Sequence, residues 1–93
     1  NNAGIIGNSF FDDFLEIDDF LEVLKVNTFG AIRVTHIFKP LIKRSRGRII
    51  GMTSICARVP VPGFAPYTVS KHATAAYFDC LRKDGAGRSM INY

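Results

Sequence analysis

The sequence has 93 residues, of which 47% are hydrophobic and 22% charged, and its formal net charge is +4. These proportions are those of an ordinary globular chain, and eight Phe and three Tyr residues supply enough apolar surface to exclude disorder as its main state. A membrane-spanning helix is excluded as well, because no apolar run approaches the roughly 18 residues that a span needs. The sequence begins at N-N-A-G without an initiator Met, so we expect it to be a piece of a longer protein.

The cysteines, histidines and charges do not predict a metal site or a nucleic-acid interface. The two Cys and two His residues are far apart in the sequence, without the spacing of a zinc site or a disulfide framework. Acidic residues concentrate in residues 12–22 and basic residues in 39–48. A helix between these clusters would place acids at its positive end and bases at its negative end, which favours helix-dipole complementarity. A phosphate or anionic-membrane patch at residues 39–48 stays open as the alternative.

The first part of the chain predicts the end of a strand, a loop and a long helix. Residues 1–13 contain glycines and acidic residues typical of a loop that leads into a helix. From about residue 17 to 44, apolar residues recur every three or four positions, which predicts one helix. Its predicted core-facing stripe consists of Phe20, Leu24, Ala31, Val34, Phe38 and Leu41. Asn27 interrupts this stripe, and we expect Gly30 and Pro40 to weaken or bend the helix.

The second part predicts a strand, a loop, a second helix and the start of another strand. Gly47 is a stop signal for the first helix, and the apolar run at 48–53 suits a strand buried on both faces. Three of the four prolines mark residues 54–66 as an ordered loop. A helix is predicted from about 66 to 84, followed by a strand at 89–93. The predicted apolar face of this helix consists of Val69, Ala73, Ala76, Tyr77 and Cys80.

This alternation predicts an α/β fold, a fragment of a doubly wound parallel sheet of Rossmann type in the order strand, helix, strand, helix, strand. No internal repeat or linker divides the sequence, so we expect one domain. Three parallel strands and two helices cannot cover both faces of their sheet. The isolated chain is therefore expected to expose apolar surface and to be oligomeric or poorly soluble.

Tyr67 and Lys71 are one helical turn apart and therefore lie on one face of the second predicted helix. A free tyrosine is a poor base at neutral pH, but a nearby cation favours the phenolate, so the pair could exchange a proton with an alcohol oxygen. By itself this spacing also fits an exposed pair on a solvated helix. Ser54 follows the predicted buried strand, at the edge where open parallel sheets bind ligands. Asn27 needs hydrogen-bond partners if it is buried, and residues 1–4 end another strand at the same edge.

In their order and spacing, four motifs resemble those of the short-chain dehydrogenase/reductase family. They are N-N-A-G at residues 1–4, V-N at 26–27, the strand-end Ser54 and Y-T-V-S-K at 67–71. The resemblance covers essentially the whole chain. Within the family, residues 39–50 and 79–84 are similar to the branch of retinol, hydroxysteroid and 3-hydroxybutyrate dehydrogenases.

The resemblance implies a role for each matching residue. Tyr67 would be the general acid/base that exchanges a proton with the substrate oxygen, and Lys71 would support the phenolate and bind the nicotinamide ribose. Ser54 would orient the alcohol or carbonyl, and Asn27 would hold a water that links Lys71 to a proton relay. The residues that would line the cofactor cleft, besides Tyr67 and Lys71, are Asn1, Ala3 and Gly4.

The implied function is an NAD(P)-dependent oxidoreductase that interconverts a secondary or lipophilic alcohol and its carbonyl, with NAD favoured over NADP. The family's glycine-rich phosphate loop and C-terminal substrate region are not in this sequence. Residues 1–93 are therefore expected to form the central and catalytic portion of a single Rossmann-type domain. The alternative hypothesis is a truncated, non-catalytic fragment that acts as a dimerising interaction module. Gly51 departs from the family, because many relatives carry Asn there.

The partners implied by the resemblance are a small-molecule alcohol or carbonyl and a second copy of the chain, paired through the two long helices. No metal and no nucleic acid is expected. Any membrane association is expected to involve segments outside this sequence. The implied location is intracellular: the cytoplasm, the endoplasmic reticulum membrane or the mitochondrion.

Overall fold

The computed structural model describes residues 4–7, 11–52, 58–83 and 89–92, the last group for its backbone only. In chain order the main elements are α1 (Ile17–Leu24), a π-helical segment (Lys25–Phe29, here the π-segment), α2 (Gly30–Ser45), β1 (Ile49–Met52), α3 (Ala65–Lys83) and β2 (Ser89–Asn92). The predicted order of helix, strand, helix and strand after residue 17 is confirmed. Residues 1–3 of the first predicted strand lie outside the described residues, and residues 4–7 form a loop.

The two strands form a parallel pair. Ile49 lies opposite Ser89 and Met52 opposite Asn92, with α3 in the crossover between them. Burial alternates along β1, with Ile49 and Gly51 buried and their two neighbours exposed. The prediction of a strand buried on both faces is therefore wrong for the part of the chain that the structure describes, where only one face of β1 is covered.

The long helix is interrupted where the sequence predicted a weakness. In the π-segment the helix widens, and the Gly30 N–H donates to Lys25 O, five residues back. The interruption thus immediately precedes Gly30, whereas α2 continues through Pro40. The helix ends at Ser45, close to the predicted stop at Gly47. The residue with a left-handed backbone conformation is Arg46, with φ of 54°. The Gly47 N–H then donates to Ile42 O at 2.9 Å, which closes the helix terminus.

Both predicted apolar faces are wrong in part. Val34, Phe38 and Leu41 of the predicted stripe in α2 are 46–55% exposed. In α3 the predicted face is exposed at Val69, Ala76 and Cys80. The face of α3 that packs inward is instead half polar: its buried residues are Pro66, Thr68, Ser70, Lys71, Thr74, Ala75, Phe78 and Leu81. Periodicity detects an apolar row, but burial depends on what packs against it, and here hydrogen-bonding side chains form the interface.

The expected exposure of apolar surface is confirmed. Large apolar side chains that are about half exposed or more occur on both long helices, including Ile37 and Leu41 of α2 and Val69 of α3. Among the residues that the structure describes, no helix combines the length and hydropathy that crossing a bilayer requires.

The apolar core lies between β1 and the C-terminal half of α3. Ile49, Phe78 and Leu81 are buried together, with Ile42 packed against them. A Cβ atom on Gly51 would lie 2.4 Å from Cδ2 and Cε2 of the Phe78 ring. The absence of a side chain at Gly51 therefore lets the ring pack directly on the strand backbone, which accounts for glycine at this position.

Replacing Gly51 by Ala should lower the free energy of unfolding of the protein that contains this chain by about 1–3 kcal/mol, because the added methyl group overpacks the Phe78 ring. Urea unfolding measures the change. Gly30→Ala is the control, since its Cβ would meet only Lys25 O at 3.4 Å and Ala favours the helix by up to about 1 kcal/mol. Equal stability of Gly51→Ala and wild type would contradict this packing.

Candidate functional site

The candidate site lies where the loop at residues 4–7, the π-segment and the N-terminal half of α3 meet. Pro66 stands in the first turn of α3, where its missing N–H costs least. The helix then places Tyr67 and Lys71 one turn apart, on the side that packs against the π-segment. Asn27 is 2% exposed and Lys71 is 8% exposed, so both polar side chains are inside the protein.

The side chain of Asn27 joins all three elements. Its Oδ1 accepts a hydrogen bond from the Ile5 N–H at 2.7 Å, and its Nδ2 donates to Ile5 O at 2.7 Å. Nδ2 also donates to Ser70 Oγ at 3.0 Å. Both N–H groups of the amide are thus engaged, which fixes the orientation of the side chain. The prediction that a buried Asn27 needs partners is confirmed.

Lys71 is a buried cation packed against the Tyr67 ring. Its Nζ lies 5.5 Å from the ring centroid, within the range of a cation–π interaction. A Cβ on Gly4 would lie 3.5 Å from this Nζ and 3.3 Å from Asn27 Oδ1, so the bare Gly4 backbone borders the ammonium group. Burial lowers the pKa of Lys71 below its ordinary 10.5, because desolvation disfavours the charged form.

No carboxylate pairs with Lys71 among the described residues. The ion pairs there join Asp79 to Arg58 and to Arg82, on the outer side of α3. A buried cation without a carboxylate partner lowers stability, and such costs are typical of positions where function requires the charge. The burial of Lys71 therefore marks this region as the candidate site.

A network of hydroxyl groups at the site was not predicted. Ser70 Oγ donates to Tyr67 O at 2.7 Å and accepts from Asn27. Thr28 Oγ1 donates to Ser70 O at 2.9 Å, and Thr74 Oγ1 donates to Asn27 O at 2.9 Å. A signal for this network was present in the sequence, since Ser70 and Thr74 are three and seven residues after Tyr67 and so share its side of the helix.

The structure brings four of the predicted site residues together: Gly4, Asn27, Tyr67 and Lys71. The other three, Ser54, Asn1 and Ala3, lie outside the described residues. Within the described ranges no group of His, Cys, Asp and Glu side chains could hold a metal ion.

The sequence model of the short chain dehydrogenase family matches residues 1–92. The chain is 49% identical over 82 residues to a 3beta-hydroxysteroid dehydrogenase of Caenorhabditis elegans, covering 88% of this chain and 21% of that protein. It is 44% identical over 86 residues to human retinol dehydrogenase 5, covering 92% and 27%. It is 40% identical over 83 residues to the bovine mitochondrial D-beta-hydroxybutyrate dehydrogenase, covering 88% and 24%. The chain thus spans about a quarter of these relatives' length.

Solved structures give the same result for the fold. An alcohol dehydrogenase of the archaeon Thermococcus sibiricus, complexed with 5-hydroxy-NADP, matches with a TM-score of 0.85 at 23% identity over 92% of this chain and 37% of that one. A short chain dehydrogenase/reductase of Burkholderia phymatum, in complex with NAD, matches with a TM-score of 0.86 at 24% identity over 96% and 34%. The chain belongs to the short chain dehydrogenase family, and the predicted Rossmann-type fold and branch resemblance are confirmed.

Lys71→Met removes the buried charge but keeps a long apolar side chain, so the free energy of unfolding should rise at neutral pH. The pKa of Lys71 lies lower in the folded than in the unfolded protein, so wild-type stability should increase as pH rises from the lowered value to about 10.5. The advantage of the Met variant should shrink over the same interval. Urea unfolding at a series of pH values measures both effects.

The matched control is Lys83→Met, at an exposed position at the end of the same helix, which should leave stability nearly unchanged. A Lys71→Met variant that is less stable than wild type at neutral pH would show that the cation is compensated in the folded protein.

Proposed function

We propose that the protein containing this chain is an NAD(P)-dependent oxidoreductase that interconverts an alcohol and its carbonyl, with Tyr67 as general acid/base. The burial of Lys71 against the Tyr67 ring is the observation that supports this function most directly. In this proposal residues 1–93 are the central and catalytic portion of a single Rossmann-type domain.

The described residues fit a nicotinamide cofactor. Lys71 offers hydrogen-bond donors, has no carboxylate partner among the described residues, and adjoins the side-chain-free Gly4. In this function Lys71 and Tyr67 bind the ribose, and Asn1, Ala3 and Gly4 line the cleft. When bound, the cofactor supplies or accepts the hydride. We propose NAD over NADP from the resemblance to the hydroxybutyrate and retinol dehydrogenase branch.

The chain's own residues carry the proton chemistry in this function. Tyr67 exchanges a proton with the substrate oxygen, and the Lys71 ammonium stabilises the negative charge that develops on the phenol oxygen. Ser54 orients the substrate oxygen by a hydrogen bond. Both N–H groups of the Asn27 amide are already engaged by Ile5 and Ser70. In this function Asn27 therefore holds a relay water as a hydrogen-bond acceptor, through an oxygen atom.

We propose a secondary or lipophilic alcohol as substrate, since the similar proteins are named for steroid, retinol and hydroxybutyrate substrates. The exposed apolar residues of α2 and α3, among them Phe38, Leu41 and Val69, support pairing with a second copy of the chain through these helices. An intracellular location, in the cytoplasm, the endoplasmic reticulum membrane or the mitochondrion, is part of the same proposal.

Tyr67→Phe should lower kcat for alcohol oxidation by about 10²- to 10⁴-fold, the range of a lost general acid/base, while the retained ring keeps cofactor affinity within a few-fold. Initial rates with NAD⁺ or NADP⁺ and a panel of secondary alcohols, steroids and retinol measure the effect. Tyr77→Phe is the matched control on the same helix, since the buried Tyr77 hydroxyl has no hydrogen-bond partner in the described structure. Full activity of Tyr67→Phe would refute the assigned role.

A second candidate is a non-catalytic module that dimerises with a longer partner. The apolar side chains exposed on α2 and α3 favour it. This function predicts that the 93-residue chain associates with itself but leaves NADH fluorescence unchanged on titration. Saturable micromolar NADH binding by the chain would argue against it.

A further inference from the structure

Two threonine hydroxyls connect the π-segment to α3 beside the Tyr67–Lys71 pair. Thr28 Oγ1 lies 2.9 Å from Ser70 O and 3.1 Å from Thr74 Oγ1. Thr74 Oγ1 lies 2.9 Å from Asn27 O and 2.8 Å from Ser70 O. Both threonines are buried, so these groups depend on one another for hydrogen bonds.

The number of hydroxyl protons limits how the two hydroxyls are used. Each threonine hydroxyl donates one hydrogen bond, and the two carbonyl groups in reach are Asn27 O and Ser70 O. Thr74 contacts both carbonyls, whereas Thr28 contacts only that of Ser70 among the described hydrogen bonds. Both carbonyls receive a hydroxyl proton only if Thr28 donates to Ser70 O and Thr74 donates to Asn27 O. Of the two hydroxyls, Thr74 Oγ1 is the one with a described hydrogen bond to the Asn27 backbone.

The Asn27 backbone needs this support because it lies in the widened part of the helix. π-helical turns are rare and usually short, and insertion of a side chain into the helix ladder is one way to hold such a distortion. A return to α-helical spacing would turn the Asn27 side chain away from Ile5 and Ser70. The Thr74 hydroxyl, which reaches Asn27 O from the neighbouring helix, opposes that return.

We propose that Thr74, assisted by Thr28, is a positioning residue for the reaction. The pair holds the π-segment in its widened form and thereby fixes the Asn27 backbone relative to Lys71, which directly follows Ser70 in α3. This inference rests on the proposed function. It requires that loss of the Thr74 hydroxyl impair the chemical step more than substrate binding, because Thr74 acts through the Asn27 backbone. Neither threonine touches the Tyr67 hydroxyl in the described hydrogen bonds.

The test compares Thr74→Val, which keeps the shape but removes the hydroxyl, with Thr74→Ser, which keeps the hydroxyl, in the full-length protein that contains this chain. Thr74→Val should lower kcat about tenfold, as expected for one lost buried hydrogen bond, with KM for the alcohol changed less than about threefold. Thr74→Ser should restore kcat to within about threefold of wild type. Hydrogen exchange of the amides at residues 25–30 should be about tenfold faster in Thr74→Val.

Thr68→Val is the matched control, because the buried Thr68 hydroxyl on the same helix has no hydrogen-bond partner among the described residues. It should leave kcat and amide exchange unchanged. Thr28→Val provides the second test: combined with Thr74→Val, it should lower kcat little more than the more severe single variant, because the two hydroxyls act as one unit.

Three results would overturn the proposal: a kcat of Thr74→Val within twofold of wild type, failure of Thr74→Ser to restore kcat, or independent multiplicative effects of the two threonine variants. If the wild-type protein oxidises no alcohol, the proposed function fails. Amide exchange then still shows whether the Thr74 hydroxyl holds the π-segment: unchanged exchange in Thr74→Val overturns that part as well.

Discussion

The hydrogen bonds of one buried amide hold the candidate site together. Asn27 binds the N–H and C=O of Ile5 and the hydroxyl of Ser70, so that the loop, the π-segment and α3 meet at a single side chain. Loss of this amide would remove the hydrogen-bond partner of the part-buried Ile5 N–H and C=O, at a cost of up to about 1–3 kcal/mol each, while Ser70 Oγ would keep its bond to Tyr67 O. The apolar core around Phe78 lies further along α3, and at the other end of α3 the polar contacts of Asn27 join the helix to the loop.

These contacts explain which features were predictable from the sequence. The positions of the helices and strands follow from local periodicity and turn signals, and the Tyr67–Lys71 pair follows from helical spacing. The buried faces could not be found in this way. Val69 belongs to the more apolar row of α3 and is exposed, whereas Ser70 and Thr74 are buried because the π-segment presents carbonyl and amide groups to them. Which side of a helix is buried depends on the surface that packs against it.

At the candidate site, stability and the proposed chemical function conflict. Burial of the Lys71 ammonium without a described carboxylate, and of many hydroxyl groups, gives the centre of the structure a polar character that a stability-driven core would avoid. The apolar contacts between β1 and the end of α3 offset part of this cost. Within α3 the two requirements are separated along the chain, with polar contacts in the first half and apolar contacts in the second.

The parallel pairing of β1 with β2 has a consequence for the order of folding. Each residue of β1 pairs with a residue forty positions later in the chain, and α3 lies between them. Such non-local pairing forms slowly, because the closure of a long loop precedes the contacts that reward it. During synthesis, the edge of β1 that faces β2 therefore stays unpaired until residues 89–92 have left the ribosome. An apolar strand edge in that state is open to association with other chains until β2 pairs with it.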